Sequence, residues 1–127
     1  MPVITTSAWR VLLVDDDPLV RDSIRRILEF DQRKVEVAIS AKDALALCEK
    51  ETFDLIILDY LMPEMKGDQL AVTLKERYPR MPVIMITADV ERMQSAQEKP
   101  AGVDLVIGKP FQMDEFREAV SKVLFKE

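Results

Sequence analysis

A small set of polar side chains stands where this chain could do chemistry. Asp15, Asp16 and Asp17 directly follow the apolar run Val11–Val14, Asp59 follows Leu55–Leu58, and Thr87 follows Val83–Ile86. Lys109 follows Leu105–Ile107 with one glycine between. Carboxylates crowded within a few ångströms repel strongly unless a cation joins them. Oxygen-only donors suit a hard ion, and Mg²⁺ accepts a few protein ligands completed by water and phosphate oxygens. A carboxylate nucleophile, a metal, a hydroxyl and an ammonium together form a phosphoryl-handling set.

Those residues can meet only if the runs before them lie side by side. Stretches rich in β-branched and aliphatic residues occur at Arg10–Val14, Lys34–Ile39, Phe53–Leu58, Pro82–Ile86 and Asp104–Ile107. Several are apolar throughout, the pattern of strands covered on both faces of a parallel sheet. Five helical patterns lie between and after them. The first opens at Asp17-Pro18, an acceptor cap followed by proline, with Val20, Ile24, Ile27 and Leu28 on one face. The second starts after Ser40 and turns Ala44, Leu45 and Cys48 inward; the third follows Gly67-Asp68, aligns Leu70, Leu74 and Tyr78, and stops before Pro79. The fourth, Val90 to Glu98, is the most polar, and the fifth carries Phe116, Ala119, Val120, Val123 and Leu124 at helical spacing.

Strands alternating with helices predict an α/β doubly wound sheet joined by right-handed crossovers. Ligands of such sheets bind beyond the carboxyl ends of the strands, where strand order reverses. If the first and third strands are neighbours, Asp15, Asp16 and Asp59 converge on one shallow cleft.

Each residue alone also has a purely structural reading. Asp17 before Pro18 reads as a helix cap, and Asp15 with Asp16 as a solvated turn. Asp59 could serve a turn, Thr87 could be structural, and a single Lys-Pro pair carries little information. Their joint placement at strand ends favours the functional reading. Met62, Met65, Met81, Met85 and Met93 read as gap-filling apolar residues, and Cys48 as a buried structural thiol.

Composition narrows the classes further. The 127 residues fit one domain spanning 1–127, with a core from about 9 to 125 and no visible output domain. With no histidine and one cysteine, the chain lacks the commonest general base, Ser-His-Asp or Cys-His machinery, an internal disulfide and a Cys/His metal framework. A net charge of −5 disfavours direct binding to a phosphate backbone. No apolar run approaches the roughly 20 residues of a bilayer span, and the N-terminus does not read as a secretory signal. The expectation is a cytoplasmic protein with no direct nucleic-acid or membrane partner.

The segments VLLVDDDP, LIILDYLMPEMKG, PVIMITA and GKPF, in this order and spacing, resemble a response-regulator receiver domain over nearly the whole chain. The resemblance implies a flavodoxin-like, doubly wound five-stranded parallel sheet of order 2-1-3-4-5 with five helices. It implies that Asp59 accepts a phosphoryl group from a histidine kinase or phosphotransfer protein and that the domain then switches a downstream partner or output domain. Asp16 would ligate Mg²⁺ directly, Asp15 largely through water, with Asp59 and the backbone carbonyl of Leu61 completing the protein's share. Thr87, the small residue Ala88 and Lys109 would contact the phosphoryl group, and the Lys109–Pro110 peptide would be cis, which X–Pro bonds adopt at low cost. Val106 departs from the family, which usually carries an aromatic switch residue there. Leu61 and Asp89 hold the positions that, in the family it resembles, tune the lifetime of the phosphorylated form. Two other readings stand beside this one: an Mg²⁺-dependent aspartyl phosphohydrolase, and a pseudo-receiver that only binds protein. The former needs a substrate pocket and an acid/base beside the nucleophile, where this chain has Leu61.

Overall fold

Each apolar run becomes a strand: β1 (Arg10–Val14), β2 (Lys34–Ala38), β3 (Leu55–Asp59), β4 (Val83–Thr87) and β5 (Leu105–Gly108). The computed structural model describes residues 9–62, 65–88 and 100–125. Among these stand four helices, α1 (Pro18–Phe30), α2 (Ala41–Lys50), α3 (Gly67–Arg77) and α4 (Met113–Leu124). The helical pattern expected at Val90 to Glu98 lies outside the described residues, so four helices are found where five were expected.

Hydrogen bonding moves several strand limits. Asp59 and Thr87 belong to their strands instead of following them, because the ladder continues beyond them. The Tyr60 N–H donates to the Ile86 carbonyl at 2.9 Å, and the Lys109 N–H to the Thr87 carbonyl at 2.8 Å. β2 stops short of Ile39, whose N–H turns to the Asp43 carboxylate at 3.3 Å.

The strands are all parallel in the order β2-β1-β3-β4-β5, so the first and third strands are neighbours. Side chains alternate between the faces of a strand, and in β1, β3 and β4 both faces are buried. Leu12, Val14, Ile56, Leu58, Val83 and Met85 pack with Ala44 and Cys48 of α2 and Leu70, Ala71 and Leu74 of α3. Val11, Leu13, Ile57, Ile84, Ile86 and Ile107 pack with Ile24 and Leu28 of α1 and Phe116, Ala119 and Val120 of α4. This sandwich explains why β1, β3 and β4 read as continuous apolar runs.

The helix starts follow local chemistry. The Asp17 side chain accepts the Leu19 N–H at 3.0 Å, with Pro18 at the first helical position. Ser40 Oγ accepts the Asp43 N–H at 3.1 Å and caps α2. Together these caps set the directions in which the chain leaves the carboxyl ends of β1 and β2.

Candidate functional site at the carboxyl ends of the strands

Register decides which strand-end residues meet. β1 and β3 pair Val14 with Leu58, so the next residues, Asp15 just past β1 and Asp59 at the last position of β3, stand side by side. Both continue the strand face that carries Leu13 and Ile57. Their carboxylates and that of Asp16 each place an oxygen within 4.8 Å of the others. Asp15 is 1% exposed and Asp59 7%, whereas Asp16 stands in solvent. Two buried acids beside an exposed one make a lopsided cleft, open on the Asp16 side.

One cation reaches this cleft among the described residues. Lys109 Nζ donates to Asp59 Oδ1 at 3.1 Å and lies 4.0 Å from Asp15 Oδ2. Asp15 Oδ1 accepts the Asp17 N–H at 2.9 Å, but its buried Oδ2 has no hydrogen-bond partner. Burial raises the pKa of Asp15 above the ordinary carboxylate value; the Asp17 N–H and Lys109 oppose this, and Asp59 and Asp16 add to it. Burial likewise raises Asp59, with Lys109 pulling it down and Asp16 pushing it up. A single ammonium therefore undercompensates three carboxylates. An all-oxygen donor set with one orphaned buried oxygen fits a small hard cation.

The remaining sequence-derived residues line the same end of the sheet. Thr87 closes β4, is buried, and pairs in register with Gly108 directly before Lys109. Ala88 follows and is exposed. A recess beside the cleft is lined by Leu19, Ser23, Ala88, Lys109, Pro110 and Phe111. The Lys109–Pro110 peptide is cis. Leu61 lies in the loop after β3 and is 65% exposed. Val106 lies below Lys109 on β5, half-buried against the cluster that contains Met85 and Val103. Asp89 lies outside the described residues.

One residue of the site escaped sequence reasoning. Gly67, read only as a helix start, donates its N–H to the Tyr60 carbonyl at 2.8 Å and packs directly under the end of β3. Its signal was a glycine at the head of the third helical pattern.

Comparison with known proteins gives a consistent result. The profile of the response regulator receiver domain family matches residues 11–121. The sensor histidine kinase AruS of Pseudomonas aeruginosa is 36% identical over 126 residues, covering 96% of this chain and 13% of AruS. The response regulator MprA of Mycolicibacterium vanbaalenii is 34% identical over 106 residues, covering 84% of this chain and 46% of MprA. The chain thus spans less than half the length of either relative. Among solved structures, a CheY-like response regulator receiver domain protein of Methanospirillum hungatei superposes with a TM-score of 0.82 at 35% identity, covering 93% of this chain and 94% of that one. The response regulator TrrA of Thermotoga maritima, solved in complex with Mg²⁺–BeF, gives a TM-score of 0.82 at 28% identity over 91% of this chain and 99% of that one.

Proposed function

The chain belongs to the response regulator receiver domain family, and from that premise we propose that Asp59 is its phosphoacceptor. The observation that carries the proposal is the pairing of Asp59 Oδ1 with Lys109 Nζ at 3.1 Å, beside the carboxylates of Asp15 and Asp16. The donor is a histidine kinase or phosphotransfer protein. An Asp59 carboxylate oxygen attacks phosphorus as the donor's N–P bond breaks, and the electron pair of that bond returns to the donor imidazole. Lys109 pairs with the transferred phosphoryl oxygens, and the Thr87 hydroxyl and the Ala88 backbone meet them from the end of β4. Asp15, Asp16, Asp59 and the Leu61 carbonyl would hold Mg²⁺, which supplies charge neutralisation for carboxylates and phosphoryl oxygens that otherwise repel. The Asp17 N–H holds the Asp15 carboxylate in place for that role.

The recess lined by Leu19, Ser23, Ala88 and Phe111 gives the donor protein an apolar surface beside Lys109. Once phosphorylated, the domain acts as a switch whose output partner reads a shifted conformational equilibrium.

The test is incubation with a small acyl phosphate and Mg²⁺, followed by intact-protein mass spectrometry. One stable adduct that disappears in Asp59→Asn supports the switch. Multiple-turnover phosphate release would instead indicate a hydrolase, and absence of any adduct a pseudo-receiver. Undiminished labelling of Asp59→Asn overturns the assignment.

A further inference from the structure

At the end of the sheet opposite Asp59, a cavity of about 420 Å³ opens beside the loops that lead into β3 and β4. Small-molecule sites typically enclose roughly 300–1,000 Å³ and are mostly apolar, with a few placed polar groups. Here the apolar wall comes from Cys48, Phe53, Tyr78, Pro79, Met81 and Pro82.

The walls are fixed before anything binds. The Tyr78 hydroxyl donates to the Cys48 carbonyl at 3.1 Å, which pins the Tyr78 ring to the end of α2. The Arg10 guanidinium stacks over the Phe53 ring at 5.5 Å. Pro79 and Pro82 restrict the backbone of the loop between them. A pocket with restrained walls loses little entropy when it is filled.

Charge at the mouth selects the ligand class. The Glu51 carboxylate is paired with Arg10, and Asp54 Oδ2 accepts the Arg10 N–H at 2.8 Å. Both acids of the lining are therefore engaged. Arg80 also lines the cavity, is exposed, and makes no ion pair among the described residues. We propose that this cavity binds a small aromatic acid, its one or two rings against Phe53, Tyr78 and Met81 and its carboxylate on Arg80. Aromatic faces and Met thioethers favour a flat ring, and a guanidinium matches a carboxylate with paired donors.

The probe is naphthoate, titrated into the isotope-labelled chain and followed by heteronuclear NMR beside its neutral amide. Amide shifts are expected to cluster at Cys48, Phe53, Asp54 and Met81. The acid should bind about fivefold more tightly than the amide, the size of a solvent-exposed ion pair. Arg80→Gln should erase that preference, while Thr52→Trp, at the exposed mouth, should weaken both probes. Bound naphthoate should also slow alkylation of Cys48. Shifts centred on the neighbouring recess lined by Lys75, Asp104 and Lys122, equal binding of acid and amide, or a preference that survives Arg80→Gln would each overturn the proposal. Asp59→Asn should bind both probes as the parent does, which separates this site from the phosphoacceptor reading.

Discussion

Gly67 lies so close under Asp59 that a Cβ at position 67 would fall 2.5 Å from the Asp59 carbonyl oxygen. It would also come within 2.9 Å of Tyr60 Cα. Both obstacles are backbone, so relief requires moving either the end of β3 or the first turn of α3. The absence of a side chain at Gly67 therefore lets the helix start against the strand that presents Asp59. Gly67→Ala is expected to cost about 1–3 kcal/mol of stability, typical of overpacking. It should also slow adduct formation from an acyl phosphate. Urea denaturation and intact-protein mass spectrometry check the two effects, and an unchanged midpoint would show that α3 yields freely.

Asp15 gives a prediction with a definite sign. Burial raises its folded pKa, so its contribution to stability is fully present below the unfolded value and is lost as pH rises through the folded one. Above the unfolded value, that raised pKa is a cost to the metal-free fold. Asp15→Asn keeps an oxygen for the Asp17 N–H and removes the charge. In the presence of a chelator, the variant should melt higher than the parent at neutral pH. That gain should shrink on acidification through the raised Asp15 pKa. Added Mg²⁺ should raise the parent's melting temperature by mass action and do so less in Asp16→Ala. Equal Mg²⁺ responses in the two chains would contradict ligation by Asp16.

A long-range contact ties together the helices on the other face of the sheet. Arg117 of α4 donates from Nε and Nη2 to the Asp31 carboxylate at 2.9 and 2.8 Å, just past the end of α1. Its guanidinium also lies 5.8 Å from the centre of the Phe30 ring. A lysine cannot reproduce the two-pronged bond. Arg117→Lys should therefore lower the melting temperature nearly as much as Arg117→Met. In a double-mutant cycle with Asp31→Asn, the paired change should cost less than the two single changes added together. Strict additivity would mean that the pair is not coupled in solution.

These contacts mark what was legible in the residues alone. The strands were readable because burial on both faces writes apolar runs such as Leu55–Leu58 into the chain, and caps such as Asp17 and Ser40 act within a few residues. The convergence of Asp15 with Asp59 followed once β1 and β3 were neighbours; the alternation of strands and helices predicts only a parallel sheet, and the strand order came from the resemblance to receivers. The Gly67 contact was hidden because its reason is a neighbouring backbone and not its own conformation. The Arg117–Asp31 bond, 86 residues apart, leaves no local pattern. The exact ends of β3 and β4 depended on pairing between strands, the Tyr60 N–H donating to the Ile86 carbonyl and the Lys109 N–H to the Thr87 carbonyl.

Val106 supplies the last prediction. It pairs with Met85 in the register of β4 and β5, two positions before Gly108, which pairs with Thr87. It is half-buried against the α2–α3 side of the core, the face that Met85 also shares. The resemblance to receivers carries an aromatic ring here, one that moves inward as the threonine hydroxyl closes on the phosphoryl group. Valine has one stiff torsion and no ring to swing, so it cannot act as that rotor. Phosphorylation of Asp59 should therefore shift the Thr87 and Ala88 amides while the Val106 side chain keeps its rotamer. Because position 106 is on an edge strand and only partly covered, Val106→Tyr should fold. NMR of the parent and the tyrosine variant, each with and without a phosphoryl mimic, compares the shifts along β4 and β5. The variant should extend the response from Thr87 into β5, where the parent's stays near the site. If the parent already shows the full concerted shift and the tyrosine adds nothing, an aromatic rotor is dispensable in this chain.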